Sequence, residues 1–61
     1  MNDFISIQDA KGASHVIFTR YITNLTIQSS SVKIHINSGG TSMTVHTLYT
    51  MQEMLDLIMK P

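Results

Sequence analysis

Apolar and polar residues alternate along most of this chain, and the alternation changes phase at identifiable places. Phe4-Ile5-Ser6-Ile7-Gln8 predicts a first strand over about 4–8. Asp9-Ala10-Lys11-Gly12-Ala13 follows as a turn, with Gly12 free to take a positive φ. The apolar pattern resumes in His15-Val16-Ile17-Phe18-Thr19, a second strand over about 14–19 whose apolar pair is Val16 and Phe18. Val16, Phe18 and Ile22 then lie on even positions, whereas Leu25 and Ile27 lie on odd ones. Side chains on a strand alternate with a period of two, so one continuous strand cannot hold both sets on one face. A bend or bulge between Arg20 and Asn24 resolves the conflict, with a third strand over about 25–28 and a polar turn at Ser29-Ser30-Ser31.

A hairpin comes next. Val32, Ile34 and Ile36 alternate with Lys33, His35 and Asn37, and after Ser38-Gly39-Gly40 the pattern returns as Met43 and Val45 alternating with Thr44 and His46. Strands over about 31–37 and 41–47 are expected, with Ile34 opposite Met43 and Val32 opposite Val45, all four on one face. Thr47-Leu48-Tyr49 leads into a helix over about 51–60. Thr50-Met51-Gln52-Glu53 is a capping box, flanked by Tyr49 and Met54 at the positions of a hydrophobic staple. Met51, Met54, Leu55 and Ile58 share a helical face suited to covering a sheet. Lys60 in the last turn suits the helix dipole, and Pro61 ends the chain. Leu57 and Met59 fall outside that face and make the apolar stripe wider than one side of a small sheet requires. They are the expected interface with a second copy of the chain.

The elements make one α+β domain over residues 1–61: a small antiparallel β-meander of four to five strands with a C-terminal helix packed on one face. Composition then narrows the functional classes. A chain of 61 residues buries only about 60% of the surface that its unfolded form exposes. Cysteine is absent, which removes disulfides and thiolate metal sites, so local packing, a histidine metal site and self-association are left as the sources of stability. Formal net charge is zero, and Lys11, Arg20, Lys33 and Lys60 are scattered, so no basic patch marks a nucleic-acid binder. No apolar run reaches the roughly 20 residues of a membrane-spanning helix and no secretion signal is legible, so a cytoplasmic protein is expected.

Candidate chemistry is sparse. In the expected register His35 lies opposite Ser42 and His46 opposite Ser31, four residues apart along the strands, or roughly 13 Å at about 3.3 Å per residue. That separation is too great for one metal ion, and no metal or other cofactor is expected. The carboxylates of Asp3, Asp9, Glu53 and Asp56 form no catalytic pair, and there is no cysteine nucleophile, so the chain is expected not to be an enzyme. Asn37-Ser38-Gly39-Gly40-Thr41 is a hairpin turn and lacks the lysine and following helix of a phosphate-binding loop. Lys33, His35, Thr44 and His46 project together from the polar sheet face, with Arg20 and Tyr21 at the bend, and make a candidate recognition surface.

From Arg20 to Leu57 the succession of strand, polar turn, alternating strand, Gly-containing turn, strand and short helix is carried by Val32-Lys33-Ile34-His35-Ile36 and by the helix start at Thr50. In this it resembles the small FlbD-type flagellar proteins and the opening half of LytTR-type DNA-binding domains, and no functional residue is carried over from either. The functional expectation is a non-catalytic binding protein, an adaptor, inhibitor or regulator of the size that phage and mobile elements commonly encode. It would act as a homodimer and contact an unidentified second protein. A nucleic-acid-binding dimer pooling Arg20, Lys33 and the histidines is the first alternative, and a protein sequestering a small ligand or nucleotide between subunits is the second.

Overall fold

A short 3-10 turn after Phe18 lies between strands that belong to two different sheets. The computed structural model describes residues 3–59. In chain order its elements are β1 (Phe4–Gln8), β2 (Ser14–Phe18), a 3-10 turn (Thr19–Tyr21), β3 (Ile22–Gln28), β4 (Ser31–Ser38), β5 (Thr41–Thr47) and α1 (Met51–Met59). All five strands are antiparallel to their neighbours, and the small α+β fold is the one that the alternation predicts. They do not form one continuous meander, however: β1 pairs with β2, and β3-β4-β5 form a separate three-stranded sheet. The expected bend is the 3-10 turn together with a register shift between Ile22 and Asn24. β3 starts at Ile22, earlier than the phase change suggested, because the irregularity is absorbed inside the strand. The positions predicted for Lys60 and Pro61 lie outside the described residues.

The first hairpin is fastened by a side chain. Asp9 Oδ1 accepts the amides of Lys11 and Ala13, both at 2.9 Å. The backbone adds two bonds, Asp9 N–H to the Ala13 carbonyl and Gly12 N–H to the Asp9 carbonyl, and Gly12 takes a φ of 89°. This turn sets Ile5 opposite Ile17 and Ile7 opposite His15. Ile5, Ile7 and Ile17 therefore face the core, and Val16 and Phe18 face outward. The apolar pair expected to define β2 is thus on its exposed side. Ile5 and Ile7 fix the inner face of β1, and pairing carries Ile17 inward with them.

The second hairpin keeps the expected faces but not the expected register. Ile34 pairs with Val45, Val32 with Thr47 and Ile36 with Met43, a slip of two residues from the predicted partners. A two-residue slip leaves every side chain on its own face, so alternation alone does not distinguish the two registers. The turn does. Ser38 pairs with Thr41, leaving Gly39 and Gly40 as a two-residue loop with φ of 60° and 86°. Such a loop needs positive φ at both positions, and the expected register would have placed Ser38 at one of them.

Ile5, Ile7 and Ile17 of the first sheet, Val32, Ile34 and Val45 of the second, and Met54 of the helix form the core. Thr47 is buried with them and donates its hydroxyl hydrogen to the Val32 carbonyl at 2.8 Å, so no buried polar atom among the described side chains is left unpartnered. The capping box forms in full. The Thr50 amide donates to the Glu53 carboxylate at 2.9 Å, and the Glu53 amide donates to the Thr50 hydroxyl at 3.2 Å. Tyr49 packs on the core and its hydroxyl accepts the Gln8 amide at 3.2 Å, tying the helix entry to β1.

The helix meets the core through Met54, Leu57 and Ile58, at i, i+3 and i+4. This corrects two expectations. Leu57 is half-buried against the core rather than lying outside the covering face, and Met51, expected to cover the sheet, is 47% exposed. The covering face is rotated toward Leu57, so surplus apolar surface at this end is left with Met51 and Met59. Replacing Thr50 by Ala is expected to lower stability by about 1 kcal/mol through loss of the cap. Met54→Ala should cost roughly 2–5 kcal/mol through the cavity left in the core. Urea unfolding followed by circular dichroism measures both, and equal losses would contradict the central position of Met54.

Candidate functional site

Three groups of side chains stand out from the frame, and only the first was anticipated as a unit. On the polar face of the three-stranded sheet, Lys33 lies opposite His46 and His35 opposite Thr44, while Asn24 lies opposite His35 and Thr26 opposite Lys33. His35 is held from both sides: Nε2 shares a hydrogen bond with the Thr26 hydroxyl at 2.7 Å and Nδ1 with that of Thr44 at 3.3 Å. The observed register brings His46 to the diagonal position beside His35, roughly 7–8 Å away in place of the expected 13 Å. Among the described residues no three His, Asp or Glu side chains converge as metal ligands.

The second group surrounds the first turn. Asp9 Oδ2 meets His15 Nε2 at 2.8 Å, with both side chains half-buried. The His15 imidazole, then the Ala13 and Lys11 amides, hold the Asp9 carboxyl below its ordinary value of 3.8. Ala10 N–H donates to the His46 carbonyl at 2.8 Å, which pins this turn to the outer edge of β5. A shallow cleft of about 260 Å³ lies between them, lined by Asp9, Lys11, His15, Thr44 and His46 among others. An aspartate–imidazole pair can orient a base beside a hydroxyl nucleophile. Here the lining hydroxyl, that of Thr44, is hydrogen-bonded to His35, and Asp9 is the anchor of the turn.

The third group is aromatic and was not foreseen. On the outward face of the first hairpin Phe4 lies opposite Phe18, and Val16 opposite Ser6. Phe4, Val16 and Phe18 are 54%, 64% and 48% exposed. The Phe4 and Phe18 rings meet edge to face at 6.3 Å, and Phe18 and Tyr21 do so at 6.5 Å. The Arg20 guanidinium lies 5.0 Å from the Tyr21 ring centre and 5.8 Å from that of Phe18. Arg20 and Tyr21 therefore engage this cluster, whereas Lys33, His35, Thr44 and His46 neighbour one another on the three-stranded sheet; the expected recognition surface is two groups. The patch continues into a recess of about 360 Å³ beside Val16, Phe18, Tyr21, Ile36 and the exposed Met43. Its signal lay in the sequence as the two outward aromatics of a hairpin whose inner face isoleucines already fill.

No helix among the described residues is long and apolar enough to cross a membrane. No protein-family model, curated protein or solved structure matches the chain.

The depressed Asp9 carboxyl gives a pH dependence of definite sign. A group with a lowered folded value stabilises the fold above its unfolded value, and that stabilisation is lost as pH falls through the folded value. The stability advantage of the wild-type chain over Asp9→Asn should therefore hold down to about pH 4 and shrink below it. Urea midpoints measured between about pH 2 and pH 6 test this. A gap that stayed constant to the lowest pH would mean that the Asp9 charge contributes nothing to the turn.

Proposed function

We propose that this protein is a non-catalytic binding protein that works through protein–protein contacts as a homodimer, in the manner of an adaptor, inhibitor or regulator. The observation that supports this reading is the outward face of the β1–β2 hairpin. A two-stranded ribbon with its inner face packed on a core needs a polar outer face, and here Phe4, Val16 and Phe18 occupy it together with Tyr21 and Arg20. Contiguous exposed apolar surface on a small protein marks an interaction site. Aromatic rings and arginine are also the residue types that dominate binding energy at interfaces.

The non-catalytic part of the reading is supported by the commitments of the polar groups. Asp9 fastens a turn, Glu53 caps the helix, and Asp56 accepts from Gln52 Nε2 at 3.0 Å. Both nitrogens of His35 are occupied by threonine hydroxyls. A second protein would find the outer edge of β3 available, since β3 pairs only with β4 among the described strands.

Light scattering on the purified chain should give about twice the 6.8 kDa monomer mass at micromolar concentration. The double variant Val16→Thr, Phe18→Ser removes the centre of the apolar face without touching the core and should shift the mass to that of the monomer, with an unchanged circular dichroism spectrum. A wild-type monomer over the whole accessible concentration range would refute the homodimer.

A further inference from the structure

The hairpin face also carries two charges of opposite sign that have no ionic partner among the described residues. Asp3 and Arg20 line one recess of about 330 Å³ together with Phe18 and Thr19. Backbone bonds hold the two segments that carry them together. The Asp3 carbonyl accepts the Thr19 amide at 3.0 Å and the Thr19 hydroxyl at 3.2 Å, which clamps the start of β1 to the 3-10 turn bearing Arg20. Neither the Asp3 carboxylate nor the Arg20 guanidinium forms an ion pair among the described residues, in which His15 pairs with Asp9. The guanidinium lies over the Tyr21 and Phe18 rings, a position compatible with its fork of N–H donors meeting a carboxylate.

A twofold-symmetric contact brings a patch against itself in the reversed sense, so that residue i meets residue j and j meets i. A patch with one cation and one anion beside it is self-complementary under that operation, whereas a patch of one sign would repel its copy. Resting on the homodimer reading, we infer that the occupant of this face is a second copy of the chain, and that the dimer is closed by two equivalent ion pairs. In each, Arg20 of one copy meets Asp3 of the other. The aromatic rings exclude water from the contact, and the ion pairs set its orientation.

Charge reversal tests the pairing, because it predicts recovery from a mixture. Arg20→Asp alone opposes aspartate to aspartate across the axis, and Asp3→Arg alone opposes arginine to arginine. Each variant should weaken the dimer at least about tenfold by sedimentation equilibrium, a change of roughly 1.4 kcal/mol. An equimolar mixture of the two places an aspartate against an arginine at both contacts and should restore the dimer as a heterodimer. The double variant Asp3→Arg, Arg20→Asp should dimerise by itself, and it supplies the same answer if either single variant fails to fold. Dimers of wild-type strength in both single variants would overturn the ion pairs while leaving the homodimer standing. A mixture and a double variant that both stay monomeric would overturn the pairing of these two residues. A wild-type monomer would overturn the homodimer itself.

Discussion

The strict two-residue period of a β-strand is the constraint on which this structure depends. A chain of this length has one small core, and every strand must direct its branched aliphatics into it. Ile5, Ile7 and Ile17 do so from odd positions in β1 and β2, and Val32 and Ile34 do so from even positions in β4. Between Ile17 and Leu25 the 3-10 turn at Thr19–Tyr21 brings Ile22 to the core from an even position, and the register shift after Ile22 brings Leu25 to it from an odd one. β2 and β3 are joined through this turn and do not pair, and the strands separate into two sheets. The helix, through Met54, packs into the core that the two sheets share.

A core made this way leaves little to spare, and polar side chains do much of the fastening. Thr47 sits among the aliphatics only because its hydroxyl returns to the Val32 carbonyl; a buried hydroxyl without a partner would cost more than its packing contributes. Asp9 closes the first turn, Tyr49 joins the helix entry to β1, and Thr50 and Glu53 close the helix start. Ala10 ties the first turn to the edge of β5. The Thr47, Tyr49 and Ala10 bonds join elements distant in sequence where a larger protein would rely on apolar area, in keeping with the thin margin of a domain of this size.

How much of this was legible in the sequence follows from the range over which each signal acts. The five strands, the bend, the capping box and the polar face of Lys33, His35, Thr44 and His46 are local patterns and were predictable from them. The register of β4 on β5 was not, since a two-residue slip conserves every face and only the demand for two positive φ angles at Gly39-Gly40 separates the alternatives. The inner face of β2 was misassigned because both sides of that strand are apolar, and the choice is made by its partner β1. Leu57 was placed outside the helix–core contact for a related reason: a helix with apolar residues around most of its girth does not reveal which third of it docks. The aromatic cluster needed the fold, because Phe4, Phe18 and Tyr21 come together only through the pairing of β1 with β2 and the turn that follows.

The same ambiguity links folding to function. A strand apolar on both sides is what an ordinary hairpin avoids, because the outer face then invites pairing and aggregation. In β2 it is retained beside an arginine that lies over aromatic rings without a carboxylate partner among the described residues, and beside an aspartate that lines the same recess. Burial in a defined partner accounts for all three departures together. It covers the rings, it gives the guanidinium an acceptor, and it supplies apolar contact that a chain without disulfides lacks internally. A purely solvated hairpin accounts for none of them. The face that made β2 hard to assign from the sequence is thus the face on which the proposed interaction rests.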